Sequence, residues 1–230
     1  VDVGPLASYL FDRPLEKMEI EIQALVAPYA RDEQVASALP MIRPQPKLFQ
    51  RLGMLAVVAD IDSIEPSQYN HALAALEKTL TGGSLDERLA AVQRVGSLVA
   101  FVRRIETGRA KMPYSLRDTI DKNVLLGLVA RALADKESVV RAAAVAAMDR
   151  VALDGAILNR LGAAIDDPAA LVRFRMAQTI GSSHMPGSEQ IIKHYLSDTD
   201  PHVQAMAEAF QRFFQRQKSP TAASKPAGGN

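Results

Sequence analysis

Apolar side chains recur at helical steps in three stretches: Val140, Ala144, Ala147 and Met148; Val172, Met176, Thr179 and Ile180; Val203, Ala207 and Phe210. Intervals of three and four residues put each set on one face of a helix. A further helical stretch precedes each: Val124 to Ala134, Ala156 to Ile165, and Glu189 to Leu196. Each unit therefore reads as helix, short turn, helix. The copies also share a register. Asp135, Asp167 and Asp198 stand six residues before Arg141, Arg173 and Gln204, and the copies repeat after 32 and then 31 residues (173−141, 204−173). A helical period of this length indicates a repeat array.

The spacing has a physical basis. Each aspartate falls where the second helix must begin, and a carboxylate there accepts hydrogen bonds from the unpaired N–H groups of a first turn. Pro168 and Pro201 follow closely, in the early-helix position where a missing N–H costs nothing. Small residues such as Ala142 to Ala144 let neighbouring helices approach closely. One helix pair cannot hide such a face alone, so successive pairs are expected to bury it against each other.

The pattern Asp-x-x-x-x-Val-Arg, followed by an alanine-rich helix, resembles HEAT repeats, in particular the bacterial lyase-type HEAT-like repeats, over residues 122–214. The resemblance implies an all-α, right-handed α-solenoid of stacked helical hairpins, here with an N-terminal helical extension. It also implies an internal ladder between successive units. Asp135, Arg141, Asp167, Arg173 and Asp198 match that pattern, whereas Gln204 departs from it, as in a terminal, capping-type repeat with one rung missing.

The chain before the repeats is less regular. Residues 1–45 read as an N-terminal helical arm, with a helix from Asp12 through Leu15, Met18, Ile22 and Leu25 that stops at Pro28. Pro40, Pro44 and Pro46 mark a hinge or domain edge. Residues 46–111 are read as helical: Lys47 to Ala59, then a pair, Ser67 to Leu80 and Leu85 to Glu106, about Gly82-Gly83. This pair could be a degenerate repeat. Leu85-Asp86-Glu87-Arg88 echoes the downstream motif faintly, with the Val-Arg out of register. The repeats proper are assigned to 112–215. Residues 216–230, poor in apolar side chains and containing Pro, Ser and Gly, are expected to be a disordered tail.

Composition narrows the function classes. Lys plus Arg is 27 against 26 for Asp plus Glu, a net charge of +1. Such a balance argues against nucleic acid as an obligatory partner. Cysteine is absent, which excludes disulfides, thiolate catalysis and cysteine-ligated metals. The longest apolar runs fall short of the roughly 18–20 residues that span a bilayer. No signal peptide is visible, and a cytoplasmic location is expected. Because the chain starts at Val1, a removed upstream segment would instead make it exported or membrane-tethered.

No constellation for catalysis emerges, and no cofactor or metal is predicted. His71, His184, His194 and His202 show no metal-ligand spacing. Asp166-Asp167 and Asp198/Asp200 sit at inter-helix turns, where capping explains them better than acid–base chemistry. Phosphate-binding glycine loops are absent. Among the resembled family, lysine-derivative hydroxylases use paired His-Glu motifs, and this chain has no His-Glu dipeptide. Others attach bilins or remove alkylated bases from DNA. The second activity calls for a basic, aromatic surface that a near-neutral chain without tryptophan does not offer.

The expectation is therefore a non-catalytic scaffold that binds another protein through its groove or its N-terminal arm. Arg150, Arg175 and Gln178 on second helices are the candidate partner contacts. The alternative is nucleic-acid or anionic-ligand binding through Arg103, Arg104, Arg109 and Lys111, where Glu106 is the sole opposing charge among residues 103–111. A bilin-lyase-like or other unrecognised enzyme comes third.

Overall fold

The computed structural model describes residues 66–109, 116–148, 155–183 and 186–218. The N-terminal arm, the Lys47 to Ala59 stretch, Lys111, Arg150, His184 and residues 219–230 lie outside those residues, whereas 216–218, read from the sequence as the start of a disordered tail, continue the last helix. Among the described residues there are eight helices and no strand. They are α1 (Pro66–Gly82), α2 (Leu85–Glu106), α3 (Lys122–Ala132), α4 (Ser138–Met148), α5 (Gly155–Ile165), α6 (Ala170–Ser183), α7 (Ser188–Tyr195) and α8 (Pro201–Lys218).

Local chemistry sets their ends. Pro66 opens α1, where its missing N–H is no loss. At the start of α2 the Ser84 N–H donates to Glu87 Oε2 at 2.9 Å, so an orphan donor of the first turn is satisfied by a side chain three residues on. Its far end closes through Gly108, at φ +70°, with the Gly108 N–H on Ile105 O (2.9 Å) and the Arg109 N–H on Arg104 O (2.7 Å). That wrap needs the left-handed conformation glycine adopts without strain. Asp121 caps α3, its carboxylate accepting the Asn123 N–H at 2.7 Å.

The helices pair in chain order, α1 with α2, α3 with α4, α5 with α6 and α7 with α8. The second helices pack on one another in succession: α2 on α4, α4 on α6, α6 on α8. Small residues make this approach close. A Cβ at Gly96 of α2 would lie 2.8 Å from the Ala147 Cβ of α4, and one at Gly181 of α6 would lie 2.3 Å from the Phe210 ring of α8. The core runs along this row. Val140, Val172 and Val203, equivalent in the three repeats, are fully buried, as are Ala144, Met176, Ala207, Met148 and Ile180. Among the described residues, no helix is long and apolar enough to cross a membrane.

Two boundaries differ from those read off the pattern. Helices α4, α6 and α8 begin three residues after Asp135, Asp167 and Asp198, so these aspartates brace the turn before the helix rather than its first turn. Asp200 is the side chain that caps α8, accepting the His202 and Val203 N–H groups at 2.9 and 3.1 Å. Its neighbour Pro201 is the first residue of α8, whereas Pro168 lies in the turn ahead of α6.

Candidate functional site

The best-defined polar array is the line of arginines and aspartates along the second helices. In each turn the aspartate Oδ1 accepts the backbone N–H two residues on, Glu137, Ala169 or Asp200, at 2.8 Å every time. This fixes the carboxylate and leaves it facing the preceding unit. There a guanidinium meets it in a two-pronged contact: Arg141 Nε to Asp167 Oδ2 at 2.7 Å and Nη2 to Oδ1 at 2.8 Å. Arg173 reaches Asp198 with the same two distances. Each arginine also donates through Nη1 to its own turn, Arg141 to Asp135 O and Arg173 to Asp167 O, both at 2.8 Å. Backbone and side chain thus alternate along a continuous hydrogen-bonded line, and paired charge-assisted bonds are the strong kind.

Arg88 belongs to the same line and was not recognised in the sequence. Its Nε donates to Asp135 Oδ2 at 2.7 Å, its Nη2 to Asp135 Oδ1 at 3.2 Å, and its Nη1 to Gly83 O at 2.7 Å. The out-of-register echo at residues 85–88 is therefore a working first rung. Two features hide it. Glu87 replaces the valine before the arginine, and Arg88 precedes Arg141 by 53 residues (141−88) instead of about thirty. The extra length lies in a longer α2 and the connection to α3, neither of which changes how the helix starts face each other. At the other end Gln204 carries no charge to continue the line.

The rung side chains are shielded, the arginines 10–15% exposed and the aspartates 6–7%. The hydrogen bonds from Arg173, opposed by burial, hold the Asp198 carboxyl below its ordinary range. The bond to Asp167 holds the Arg141 guanidinium above its own ordinary value. In each rung the hydrogen-bonding capacity of guanidinium and carboxylate is directed at each other. Such groups hold geometry and are poorly suited to proton transfer.

The other predicted residues do not converge on one place. Arg175 and Gln178 are half-buried rather than fully exposed: Arg175 Nη1 donates to Gln178 Oε1, and the guanidinium lies 5.6 Å from the Phe174 ring centroid. Counting five residues on from each ladder position gives Gln93, Ala146, Gln178 and Ala209, an uncharged file of half-buried and exposed residues across four second helices. Phe213, 40% exposed, is one of two large apolar side chains the described residues leave out, and it lies one turn beyond Ala209 on α8.

Arg103 and Arg104 are half-buried in the last turn of α2, and Arg109 is exposed just past it. Glu106, the acidic residue among them, is held by Lys122 at 2.9 Å. The described histidines stay apart. His194 Nε2 lies 2.8 Å from Asp166 Oδ1 on the surface, while His71 and His202 are exposed. Among the described residues, no group of three His, Cys, Asp or Glu side chains could hold a metal ion. Comparison with protein-family models, with curated proteins and with solved structures finds no match to this chain.

Proposed function

We propose that the chain is a non-catalytic α-solenoid of HEAT-like repeats, right-handed as that resemblance implies, whose open face binds another protein. The observation that carries the reading is the line of three equivalent rungs, Arg88–Asp135, Arg141–Asp167 and Arg173–Asp198. Each rung fixes one helix start against the next, so the surface offered by the second helices is regular and rigid. A rigid surface binds without a large ordering cost. The file Gln93, Ala146, Gln178 and Ala209 is small and uncharged, with Phe213 at its edge, and this suits an amphipathic protein segment better than a polyanion.

Filling the file is the direct test. The double variant Gln178→Arg/Ala209→Arg should melt close to the parent, because Gln178 is half-buried and Ala209 exposed, and neither takes part in a rung. It should lose the proteins that the parent retains when the two are compared side by side on affinity resin. Equal retention by both forms would overturn the assignment of this face.

A second reading, an anionic ligand at Arg103, Arg104 and Arg109, draws support from the capture of Glu106 by Lys122, which removes the opposing carboxylate. Titration with duplex DNA at two salt concentrations separates the readings, since phosphate binding weakens steeply with salt.

A further inference from the structure

Helix α8 carries two apolar faces, although packing within the chain uses one. It packs on α6 and α7. Val203 and Ala207 are fully buried in that contact, and Phe210 and Phe214 are half-buried against the core. A second face, with Gln204, Glu208, Gln211 and Gln215, is polar throughout. Between them runs a third: Ala205, Met206, Ala209 and Phe213, all within roughly 60° of Ala209 around the helix. Ala205, Ala209 and Phe213 are exposed and Met206 is half-buried. The Phe213 ring stands edge-on to Phe214, with 5.9 Å between centroids, so an exposed ring is braced by one that belongs to the core.

Reversed in direction, this third face is complementary to itself. Phe213 stands four residues after Ala209 and Ala205 four before it, with Met206 three before. When two copies of α8 are set antiparallel about a two-fold axis at Ala209, the Phe213 ring of one meets the small Ala205 side chain of the other. The Met206 thioether of that other copy lies beside it, and sulfur against an aromatic ring is a favourable contact. Ala209 on Ala209 lets the two backbones approach. Charge obeys the same symmetry. Glu208 and Arg212 lie along one edge of the face, 3.5 Å apart within the helix and both more than half exposed. In the antiparallel register Arg212 of one copy and Glu208 of the other share an edge and differ in height by roughly 3 Å. Two crossed pairs of opposite charge therefore form at the rim, where they keep their access to water.

We propose that this face of α8 is a two-fold contact between copies of the chain, with Ala209 on the axis. Contacts of this kind use the same patch on both subunits, and so require the self-complementarity that Ala205, Met206, Ala209 and Phe213 show. The proposal deepens the partner-binding reading and rests on it in taking the surface of the second helices as the binding face: at the α8 end of the file, the bound protein is a second copy. One pair of helices is a small interface, so the dimer forms and dissociates with concentration.

Sedimentation of the purified full chain tests it. The weight-average mass should climb from one copy towards two between about 5 and about 500 µM. Phe213→Asp should stay at one copy over that range, with the parent's circular dichroism. Ala205→Trp, which fills the opposite side of the contact, should do the same. Because the chain has no cysteine, Ala209→Cys places a single thiol on the axis. Mild oxidation should link two such copies. Gln217→Cys should stay unlinked, because eight residues from the axis its two thiols stand roughly 24 Å apart, beyond the reach of a disulfide. A parent that remains one copy throughout, or Ala209→Cys linking no better than Gln217→Cys, overturns the contact. Both measurements use the purified chain alone, so either failure leaves the retention of other proteins by the parent standing, and the two readings fail separately.

Discussion

Removing the Asp167 side chain should be among the most destabilising single changes on the surface side of the row. Asp167→Ala takes away two hydrogen bonds from Arg141, at 2.7 and 2.8 Å, and one from the Ala169 N–H at 2.8 Å. The Arg141 side chain, 13% exposed, is then left charged in a shielded place with its Nη1 still tied to Asp135 O. Orphaning one member of a buried pair costs about 3–5 kcal/mol, and the remaining access to water favours the lower end. Loss of the turn brace adds about 1 kcal/mol. The sum of about 4 kcal/mol corresponds to a fall in melting temperature on the order of 10 °C for a chain of this size. Chemical denaturation of Asp167→Ala, Arg141→Met and the double variant gives the coupling directly. The double variant should be more stable than Asp167→Ala alone, because no unpaired charge remains. Additive losses, or an Asp167→Ala form within about 1 kcal/mol of the parent, would show that the rung is ornamental.

Three further outcomes are expected. Val172 is fully buried between α4 and α6, so Val172→Asp should cost about 3 kcal/mol or more in thermal melts, and an unchanged melt would show that the site is open to water. Gly96→Ala should lose about 1–3 kcal/mol, because its Cβ would sit 2.8 Å from the Ala147 Cβ, and Ala147→Gly should restore most of that in the double variant. The depressed Asp198 carboxyl makes one rung acid-sensitive. The unfolded chain takes up that proton first, so the rung's contribution is whole above about pH 4 and fades as pH falls through the lower folded-state value. Wild type should therefore lose more stability than Asp198→Asn between about pH 5 and about pH 2, and parallel curves would count against the rung.

The legible part of the fold was the part written in short-range chemistry. Asp135, Asp167 and Asp198 recur with fixed spacing because each must brace a turn and face a guanidinium, and no other side chain does both at that length. The helical character of α2 to α8 was equally plain from apolar steps at 3.6-residue periodicity. Arg88 escaped because repeat spacing was used as the criterion, while the contact requires only that two helix starts lie side by side. Chain between them can lengthen at little cost. Arg175 and Gln178 show a second limit of pattern reading, which gives the face of a residue and not its exposure. A position on the outward arc of a helix is not thereby exposed, since Arg175 folds its long side chain over the Phe174 ring and shields both.

The same register explains why the row changes character at its last described member. Four residues past the ladder position stand Val92, Val145 and Ala177, all buried. On α8 that position is Glu208, exposed and paired with Arg212 at 3.5 Å. Gln204 and Gln215 line the same side. Another helix of the same kind could seat there only by burying Glu208 and Arg212, at a cost that an exposed pair on a single helix does not incur. The loss of the guanidinium at Gln204 and the loss of the apolar seam at Glu208 are therefore one event, since a rung is useful only where there is a seam for it to close.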